Sequence, residues 1–356
     1  MTTTKYQFRN LVFQGGGVRM LAYHGAIKAL EETGILPQIE RVAGTSAGAL
    51  TAMLVSFRLS ANDTIELFKS VDLSKVPTRK SIEDIAWEPP QFLESQINRL
   101  VSNWDAMRRF LRQYGLHGHD HGYDWMHEII AEQCDGNGRA TFADFKALGF
   151  RDLHVVAANI SKQKTIVFNA ADTPDVAVAD ALVMSQSIPL FFEAIQFDGQ
   201  GIGQGDYFAD GGVLNNYPLQ VFDYARFLSN RKWFVNRANW ETLGCRLMTS
   251  DDCQRIDRPI NNVVSYLANL LVTVSVAQDV AYNNNRVDQN RTVEIDDCCI
   301  SVVDFDIKIA DEDERYLKLV ASGYKAVYDF LEEYSPPTPD QIAQLRHIFR
   351  RITRRR

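Results

Sequence analysis

Apolar and polar positions along the chain alternate in a way that predicts strands and helices in turn. Short apolar runs bounded by turn residues indicate strands, and apolar residues that recur every three or four positions indicate helices. The predicted strands cover 11–13, 39–43, 153–158, 165–169, 245–249 and 300–305, with a further strand closing at 208–212, and the predicted helices pass through 26–30, 49–57, 174–184 and 312–334. This order favours an α/β fold with a mostly parallel sheet and helices on both faces.

Residues 60–140 differ from the rest of the chain in the spacing of their apolar residues, and we interpret them as a helical insertion. Apolar side chains recur there at helical gaps, at Leu93, Ile97, Leu100, Trp104, Met107 and Leu111. Such a stripe either packs against the main body or forms a lid over an apolar site, and both interpretations stay open. We divide the chain into a main domain over 1–335, which includes the insertion, and a segment over 336–356 that begins with a Pro-rich linker.

The composition is that of a globular protein. The 356 residues are 46% hydrophobic and 23% charged, which excludes a disordered chain, a collagen-like fibre and a coiled coil. The most membrane-like stretch, 263–280, is interrupted by polar residues and predicts a buried helix rather than a membrane span. The polar N-terminus lacks the apolar core of a signal peptide, and the five cysteines have no CxxC spacing. We therefore expect a cytoplasmic protein with free thiols.

Charge is unevenly distributed along the chain. The net charge is −7, but residues 341–356 contain six arginines and no acid, which leaves an acidic body. That balance argues against nucleic-acid binding. One helical face of the tail is apolar, a pattern typical of a helix on an anionic membrane surface, and it comprises Ile342, Leu345, Ile348, Phe349 and Ile352. Docking of that face on the acidic body, or a nucleic-acid arm, are the alternatives.

The sequence Gly44-Thr45-Ser46-Ala47-Gly48 fits a nucleophile elbow. It lies between a predicted strand and a predicted helix, where a serine on a sharp turn projects its hydroxyl at the positive end of the helix. Glycines flank such a serine because side chains there would collide with neighbouring backbone. A tight turn with a capping serine is the alternative.

Gly15-Gly16-Gly17 is the candidate oxyanion hole. Three glycines at a strand end, directly before a helix, can aim backbone N–H groups at a developing negative charge. Met20 breaks the dinucleotide pattern GxGxxG, and no phosphate-binding P-loop pattern exists. Arg19 would steady a lipid phosphate or the oxyanion loop, or form a surface salt bridge.

Asp210 is the candidate base. A Ser-Asp-His enzyme with this elbow needs a histidine after the acid, and the only one after Asp210 is His347, inside the basic tail. Asp210 sits at a predicted strand end before Gly211-Gly212, so its carboxylate can approach Ser46 and accept its proton directly. A role as an Asx-turn residue is the alternative.

These motifs, in this order, resemble the patatin-like phospholipase family. The matching stretches are Gly15–Arg19, Gly44–Gly48 and Asp210–Gly212, with Thr173-Pro174-Asp175, Ser187-Ile188-Pro189 and Asn216-Tyr217-Pro218 as further similar segments. The resemblance covers about 8–330 and implies a three-layer α/β/α fold. Met20 is a departure, because the family usually has glycine after Arg or Lys there.

The resemblance also implies the roles of the site residues. Ser46 is then the nucleophile, Asp210 the base, and Gly15, Gly16 and Gly17 the oxyanion donors of a calcium-independent lipid acyl hydrolase. We expect the pKa of Asp210 to lie above that of an ordinary Asp, with the carboxyl still ionised near neutral pH. His117, His119 and His121 could bind a transition metal, but this chemistry needs none.

Three hypotheses follow for function. The first is a peripherally membrane-associated hydrolase that releases fatty acid from phospholipids or lysophospholipids. The second is a catalytically idle lipid-binding or scaffold module, and the third an esterase or acyltransferase on another acyl substrate. Some members of the family are inactive until a protein or small-molecule activator binds, and the resemblance leaves the same regulation open for this chain.

Overall fold

A mixed eight-stranded sheet forms the centre of the molecule. The computed structural model describes residues 6–77, 114–250, 253, 260 and 263–337. The strands are β1 Asn10–Phe13, β2 Arg41–Thr45, β3 Gly115–His117, β4 Asp152–Asn159, β5 Lys164–Phe168, β6 Leu190–Phe192, β7 Ile195–Phe197, β8 Asp206–Asp210, β9 Phe234–Val235, β10 Ala238–Asn239, β11 Thr242–Met248 and β12 Thr292–Asp296. The order of the main sheet is β12-β11-β1-β2-β4-β8-β7, and β5 also pairs with β4.

Helices alternate with these strands, as the sequence predicts. They are α1 Ala22–Glu32, α2 Ala47–Ser56, α3 Ala61–Lys69, α4 Asp120–Gln133, α5 Phe142–Ala147, α6 Val178–Ser185, α7 Gly212–Asn215, α8 Val263–Asn283, α9 Arg286–Gln289 and α10 Glu314–Glu333. Short 3-10 helices cover Gly17–Leu21, Leu36–Gln38, Leu73–Lys75, Leu219–Phe222, Ala225–Phe227 and Arg231–Trp233.

The predicted α/β fold with a mostly parallel sheet is confirmed. The five strands from β12 to β4 are parallel to one another, and β5, β8 and β7 pair antiparallel. Every residue of β1 is buried, as expected for a central parallel strand covered on both faces.

Apolar side chains from the two faces of the sheet enter two different core clusters. On one face Leu11 and Val42 join the large core that also contains α1, α2, α6 and α10. On the other face Val12 and Ala43 pack against the 3-10 segment 219–227. Because successive residues of a strand point to opposite faces, the sheet is the middle of three layers.

α1 and α10 approach each other at backbone distance. A Cβ on Gly25 would lie 1.8 Å from the Val320 carbonyl oxygen, and one on Gly323 would lie 1.8 Å from that of Ala22. Only glycine fits at both points. This contact fixes α10 against the helix that follows the glycine loop.

The strand expected over 300–305 is absent, and the strand of this region is β12, at 292–296. Cys298 and Cys299 both have positive φ, and their N–H groups bond to the carboxylates of Asp296 and Asp297. These local side-chain bonds hold turns where the alternation of residues suggested a strand. Likewise, the helix expected from 174 begins only at Val178, after the turn that Asn169 stabilises.

Two further expectations are wrong. Cys253 and Cys299 form a disulfide, so the expectation of free thiols fails for this pair. The stretch 263–280 is a helix, α8, but most of its apolar side chains are exposed rather than buried. In the ranges that the structure describes, no helix is long and apolar enough to cross a membrane. The stripe over 93–111 and the basic tail lie outside the described residues.

Candidate active site

The sheet topology brings Ser46 and Asp210 together. β2 pairs parallel with the first part of β4, and their last paired residues are Thr45 and Val156. β8 pairs antiparallel with the rest of β4, and its last residue, Asp210, is opposite Ala157. The carboxyl ends of β2 and β8 therefore meet at consecutive positions of one neighbouring strand. Ser46 is the next residue after β2, so both candidate residues lie at this meeting point.

Ser46 stands on a strained turn between β2 and α2. Its φ is 55° and its ψ is −128°, and its side chain makes no capping hydrogen bond. The capping alternative is therefore not supported. A Cβ on Gly44 would lie 2.2 Å from the Gly48 carbonyl oxygen, and one on Gly48 would lie 2.5 Å from that of Phe13. The two glycines are required because backbone passes directly beside them.

Asp210 is buried beside Ser46. It is 5% exposed, and its Oδ1 accepts the Gly212 N–H at 2.7 Å. Within the part of the chain that the structure describes, Oδ2 has no hydrogen-bond partner. Burial raises the pKa of Asp210 to about 6, against the opposing effects of the Ser46 hydroxyl and the Gly212 N–H. A carboxyl with this pKa is still mostly ionised at neutral pH but is a stronger base than an ordinary Asp.

The glycine loop lies next to this pair. A Cβ on Gly15 would be 3.1 Å from the Ser46 Cβ, and Gly17 has φ +55° with the Val302 carbonyl oxygen 1.9 Å from its Cβ position. The N–H of Gly15 donates to the Asn216 carbonyl at 3.0 Å. That bond is at odds with the expected oxyanion role of Gly15. Among the described residues, no acceptor occupies the N–H groups of Gly16 and Gly17.

Arg19 and Met20 follow the glycines and face different surroundings. The Arg19 guanidinium lies 2.6 Å from the buried Asp297 carboxylate and donates to the Ile300 carbonyl at 2.7 Å. These contacts favour support of the loop over a contact to a lipid phosphate. Met20 is buried and lines the cavity beside Ser46.

Several residues without a predicted role hold the candidate pair in place. The Ser185 hydroxyl accepts the Ser46 N–H at 2.8 Å and donates to the Val156 carbonyl, while the Ser187 carbonyl accepts the Asp210 N–H at 2.8 Å. Asn216 donates through Nδ2 to the Gly15 carbonyl. Ser187 and Asn216 belong to motifs that the sequence analysis noted, but one sequence gives no sign of their contacts.

Gln278 of α8 also contacts the loop that carries Asp210. Its Oε1 accepts the Asn216 N–H at 2.8 Å, and its Nε2 donates to the Gly212 carbonyl at 2.9 Å. Nothing in the local sequence marks this residue. Its importance comes only from the placement of α8 beside α7.

The cavity beside Ser46 is apolar and small. It measures ≈ 50 Å³, and its walls include Met20, Leu50, Leu73, Trp125, Ile188 and Phe192. Sites that hold drug-sized ligands typically measure about 300–1,000 Å³. The apolar walls suit a hydrocarbon chain, but the cavity has to enlarge before it can hold one.

The histidine loop packs on aromatic rings near this cavity. His117 contacts Phe191, His119 stacks on Phe192, and His119 Nε2 lies 3.2 Å from the Ser187 hydroxyl. Within the described residues no group of three His, Cys, Asp or Glu side chains is arranged to hold a metal. The structure thus gives the loop a packing role.

Fold and site together define a three-layer α/β/α protein with a serine and a carboxylate at adjacent strand ends. The model of the patatin-like phospholipases matches residues 11–223, more than half of the chain. The chain belongs to the patatin-like phospholipase family.

Individual relatives are distant. The uncharacterized protein YqhO of Bacillus subtilis is 27% identical over 331 residues, which cover 91% of this chain and 98% of YqhO. The probable lipid hydrolase 463L of Invertebrate iridescent virus 6 is 24% identical over 216 residues, 60% of this chain and 63% of that protein. The crystal structure of VipD from Legionella pneumophila matches 92% of this chain and 67% of VipD with a TM-score of 0.56 at 17% identity, a similarity of fold.

Proposed function

We propose that the protein is a serine acyl hydrolase that releases fatty acid from phospholipids or lysophospholipids. The observation that carries this proposal is the placement of a buried carboxylate, with a pKa near 6 and one unpartnered oxygen, beside a serine on a strained elbow. Family membership and the name of the viral relative 463L support lipid hydrolysis in general. The apolar walls of the adjoining cavity favour an acyl chain over a polar substrate.

In the proposed mechanism Asp210 accepts the proton of the Ser46 hydroxyl as the oxygen attacks the ester carbonyl. The N–H groups of Gly16 and Gly17 donate to the oxyanion, and the N-terminus of α2 adds favourable potential at Ser46. The proton passes to the departing alcohol or lyso-lipid. Asp210 then accepts a proton from a water that attacks the acyl carbon, the bond to the Ser46 oxygen breaks, that oxygen takes the proton from Asp210, and the fatty acid leaves. No step needs calcium or another cofactor.

The membrane is the proposed source of substrate, with the basic tail binding its anionic surface. If the tail works in this way, deletion of 340–356 lowers hydrolysis of anionic vesicles far more than hydrolysis of a water-soluble ester. Equal loss on both substrates would contradict the role of the tail. A protein or small-molecule activator is compatible with the small cavity of this structure.

The test is fatty-acid release from mixed phospholipid vesicles in the presence of EDTA. We expect Ser46→Ala and Asp210→Asn to lower release by at least about 100-fold, as expected for a nucleophile and a general base. Ser56→Ala removes a buried hydroxyl from the same helix, bonded to the Met53 carbonyl, and serves as the matched control. His347→Ala should retain release.

Each alternative has its own outcome. Loss of release with His347→Ala would indicate a Ser-Asp-His triad. Dependence on calcium would refute the metal-free mechanism. Release by no form, even after addition of cell extract as a source of activator, would favour an idle lipid-binding module.

A further inference from the structure

α8 carries its apolar side chains on the side that faces away from the protein. Seven of them are between 37% and 54% exposed: Tyr266, Leu267, Leu270, Val272, Val274, Val276 and Val280. At about 100° per residue, these seven positions fill a continuous arc of roughly 220° around the helix. We call this arc the α8 apolar surface.

The opposite side of α8 is the side that contacts the protein. Gln278 bonds to the loop after Asp210, Asp279 lies 2.7 Å from Arg246, and Tyr282 is buried. Ordinary surface helices bury their apolar face and expose their polar face. α8 has the reverse arrangement, so the α8 apolar surface is built to contact something other than water.

The α8 apolar surface is also free of charge. No Asp, Glu, Lys or Arg occurs between 263 and 278, and the described polar side chains inside the arc are those of Asn269, Thr273 and Asn283. A protein or nucleic-acid partner of strong charge has nothing to pair with on this surface. An uncharged apolar arc matches the hydrocarbon boundary of a zwitterionic bilayer.

The position of α8 points to the same occupant. Gln278 joins α8 to Gly212 and Asn216, two and six residues after Asp210, and α8 packs on α7, where Leu214 is also exposed. A bilayer on the α8 apolar surface would lie across α8 from the loop of the candidate base, one helix diameter (~10 Å) away. The exposed Leu214 extends the apolar area from α8 onto α7, the helix that begins two residues after Asp210.

We propose that the α8 apolar surface inserts into the interface of a phospholipid bilayer and docks the protein there. The inference rests on the proposed function, because it names the surface from which that site draws its substrate. α8 lies along the membrane rather than across it. This docking is distinct from attraction of the basic tail, since it requires neither anionic lipid nor low salt.

The test measures binding of the full chain to phosphatidylcholine vesicles by co-sedimentation, with Ser46→Ala in every form so that lipid is not consumed. We expect binding that persists at high salt, where charge-driven attraction is screened. Leu270→Glu combined with Val276→Glu should lower the partition coefficient at least about tenfold. Leu317→Glu is the matched control, because Leu317 is a 43% exposed apolar residue on α10, and it should bind as the parent does.

Folding is checked by far-UV circular dichroism and by Tm, which exposed substitutions should leave nearly unchanged. A second signal comes from Tyr266→Trp, whose fluorescence should shift to shorter wavelength and be quenched by brominated lipid when vesicles are added. Absence of both changes would contradict insertion of α8.

Other occupants of the surface give other results. A dimer that Leu270→Glu with Val276→Glu converts into a monomer would assign the surface to a second copy of the chain and overturn the proposal. Fluorescence of Tyr266→Trp that acrylamide barely quenches without lipid would show that another part of the chain covers the surface, and would overturn the proposal. Binding unaffected by the double substitution would also refute docking through α8.

Failure of the proposed function would look different. Binding is measured with a form that lacks the Ser46 hydroxyl and does not depend on hydrolysis. If the protein is active and the α8 substitutions leave its vesicle binding unchanged, only the proposed docking surface is refuted. A protein that binds through α8 and releases no fatty acid would refute only the catalytic proposal.

Discussion

Burial of the Asp210 carboxylate disfavours folding but suits the proposed role of this residue as a base. Burial without a full set of hydrogen bonds disfavours its charged form, which is why its pKa rises to about 6. The same feature makes the carboxylate a better acceptor for the Ser46 proton. Ser46 has a comparable position, with a backbone conformation that few non-glycine residues adopt. Each residue has an unfavourable feature where the proposed reaction needs it, a buried carboxylate at Asp210 and a positive φ at Ser46.

The raised pKa predicts a pH-dependent gain of stability in Asp210→Asn. In the folded state Asp210 holds its proton up to about pH 6, and in the unfolded chain only up to about its ordinary 3.8, so wild-type stability falls as pH rises through this window. Asn does not titrate. We expect the variant to gain up to about 3 kcal/mol in free energy of unfolding at pH 8 and almost nothing at pH 3. Denaturant titration at both pH values measures this.

Activity should show the matching profile. Protonation removes the base, so kcat/KM of the wild type should fall about tenfold per pH unit below about pH 6. In the stability measurement Asp198→Asn is a control of opposite sign. Backbone N–H groups of Gly201 and Gln200 lower the pKa of that exposed carboxyl, so its removal should lower the free energy of unfolding at pH 8 and not raise it. A flat activity profile from pH 5 to 8 would contradict the assigned base.

At the scale of elements, short connections carry the site. The segment 185–187 after α6 contacts both candidate residues, through the Ser185 hydroxyl and the Ser187 carbonyl. α8 adds Gln278, which bonds to the loop after Asp210 on two sides. Gln278 does not touch the reacting atoms, so we class it as a positioning residue.

Gln278→Met keeps the size of the side chain and removes both hydrogen bonds. We expect kcat on a water-soluble ester to fall about tenfold or more with little change in KM, because the loop of the base loses about 1–3 kcal/mol of support. Gln289→Met is the matched control, since Gln289 bonds to the Asn283 carbonyl at the end of α8 and not to the site. Equal kinetics in the two variants would show that Gln278 acts only on stability.

At the scale of the whole molecule, a disulfide links distant parts of the chain. Cys253 and Cys299 are 46 residues apart, and the loop they close contains α8, α9 and β12. Cys299 also lies in the segment that supports the glycine loop, through Asp297 with Arg19 and Val302 with Val18. The bond therefore constrains both α8 and the segment that supports the glycine loop.

Cys253→Ser should lower the free energy of unfolding by about 2–4 kcal/mol under oxidising conditions, because the unfolded chain regains the freedom of a long loop. With reductant, wild type and variant should unfold alike. Cys298→Ser is the matched control, since Cys298 is unpaired beside Cys299. A wild type whose stability ignores reductant would show that the disulfide does not form.

Local sequence was enough to predict the elements that carry the site. The elbow, the glycine loop and the Asp-Gly-Gly turn each depend on a few consecutive residues whose backbone must pass close to other backbone, and glycine at such points leaves a clear pattern. The central parallel strands β1, β2, β4 and β11 were equally clear, because strands buried on both faces are rich in apolar residues, whereas the edge strand β12 was missed. The turn at 297–305 was missed, because side-chain bonds from Asp296 and Asp297 override a strand-like pattern.

The chain by itself determined the fold class and the residue types that meet at the site. Tertiary structure decided what those residues touch. Only the pairing of β8 with β4 beyond the end of β2 places Asp210 at Ser46, and only the fold brings the Asn216 carbonyl to the N–H of Gly15. The outward face of α8 was equally hidden, because apolar residues at helical spacing look the same whether they face a core or a membrane. Contacts between residues far apart in sequence leave no local pattern.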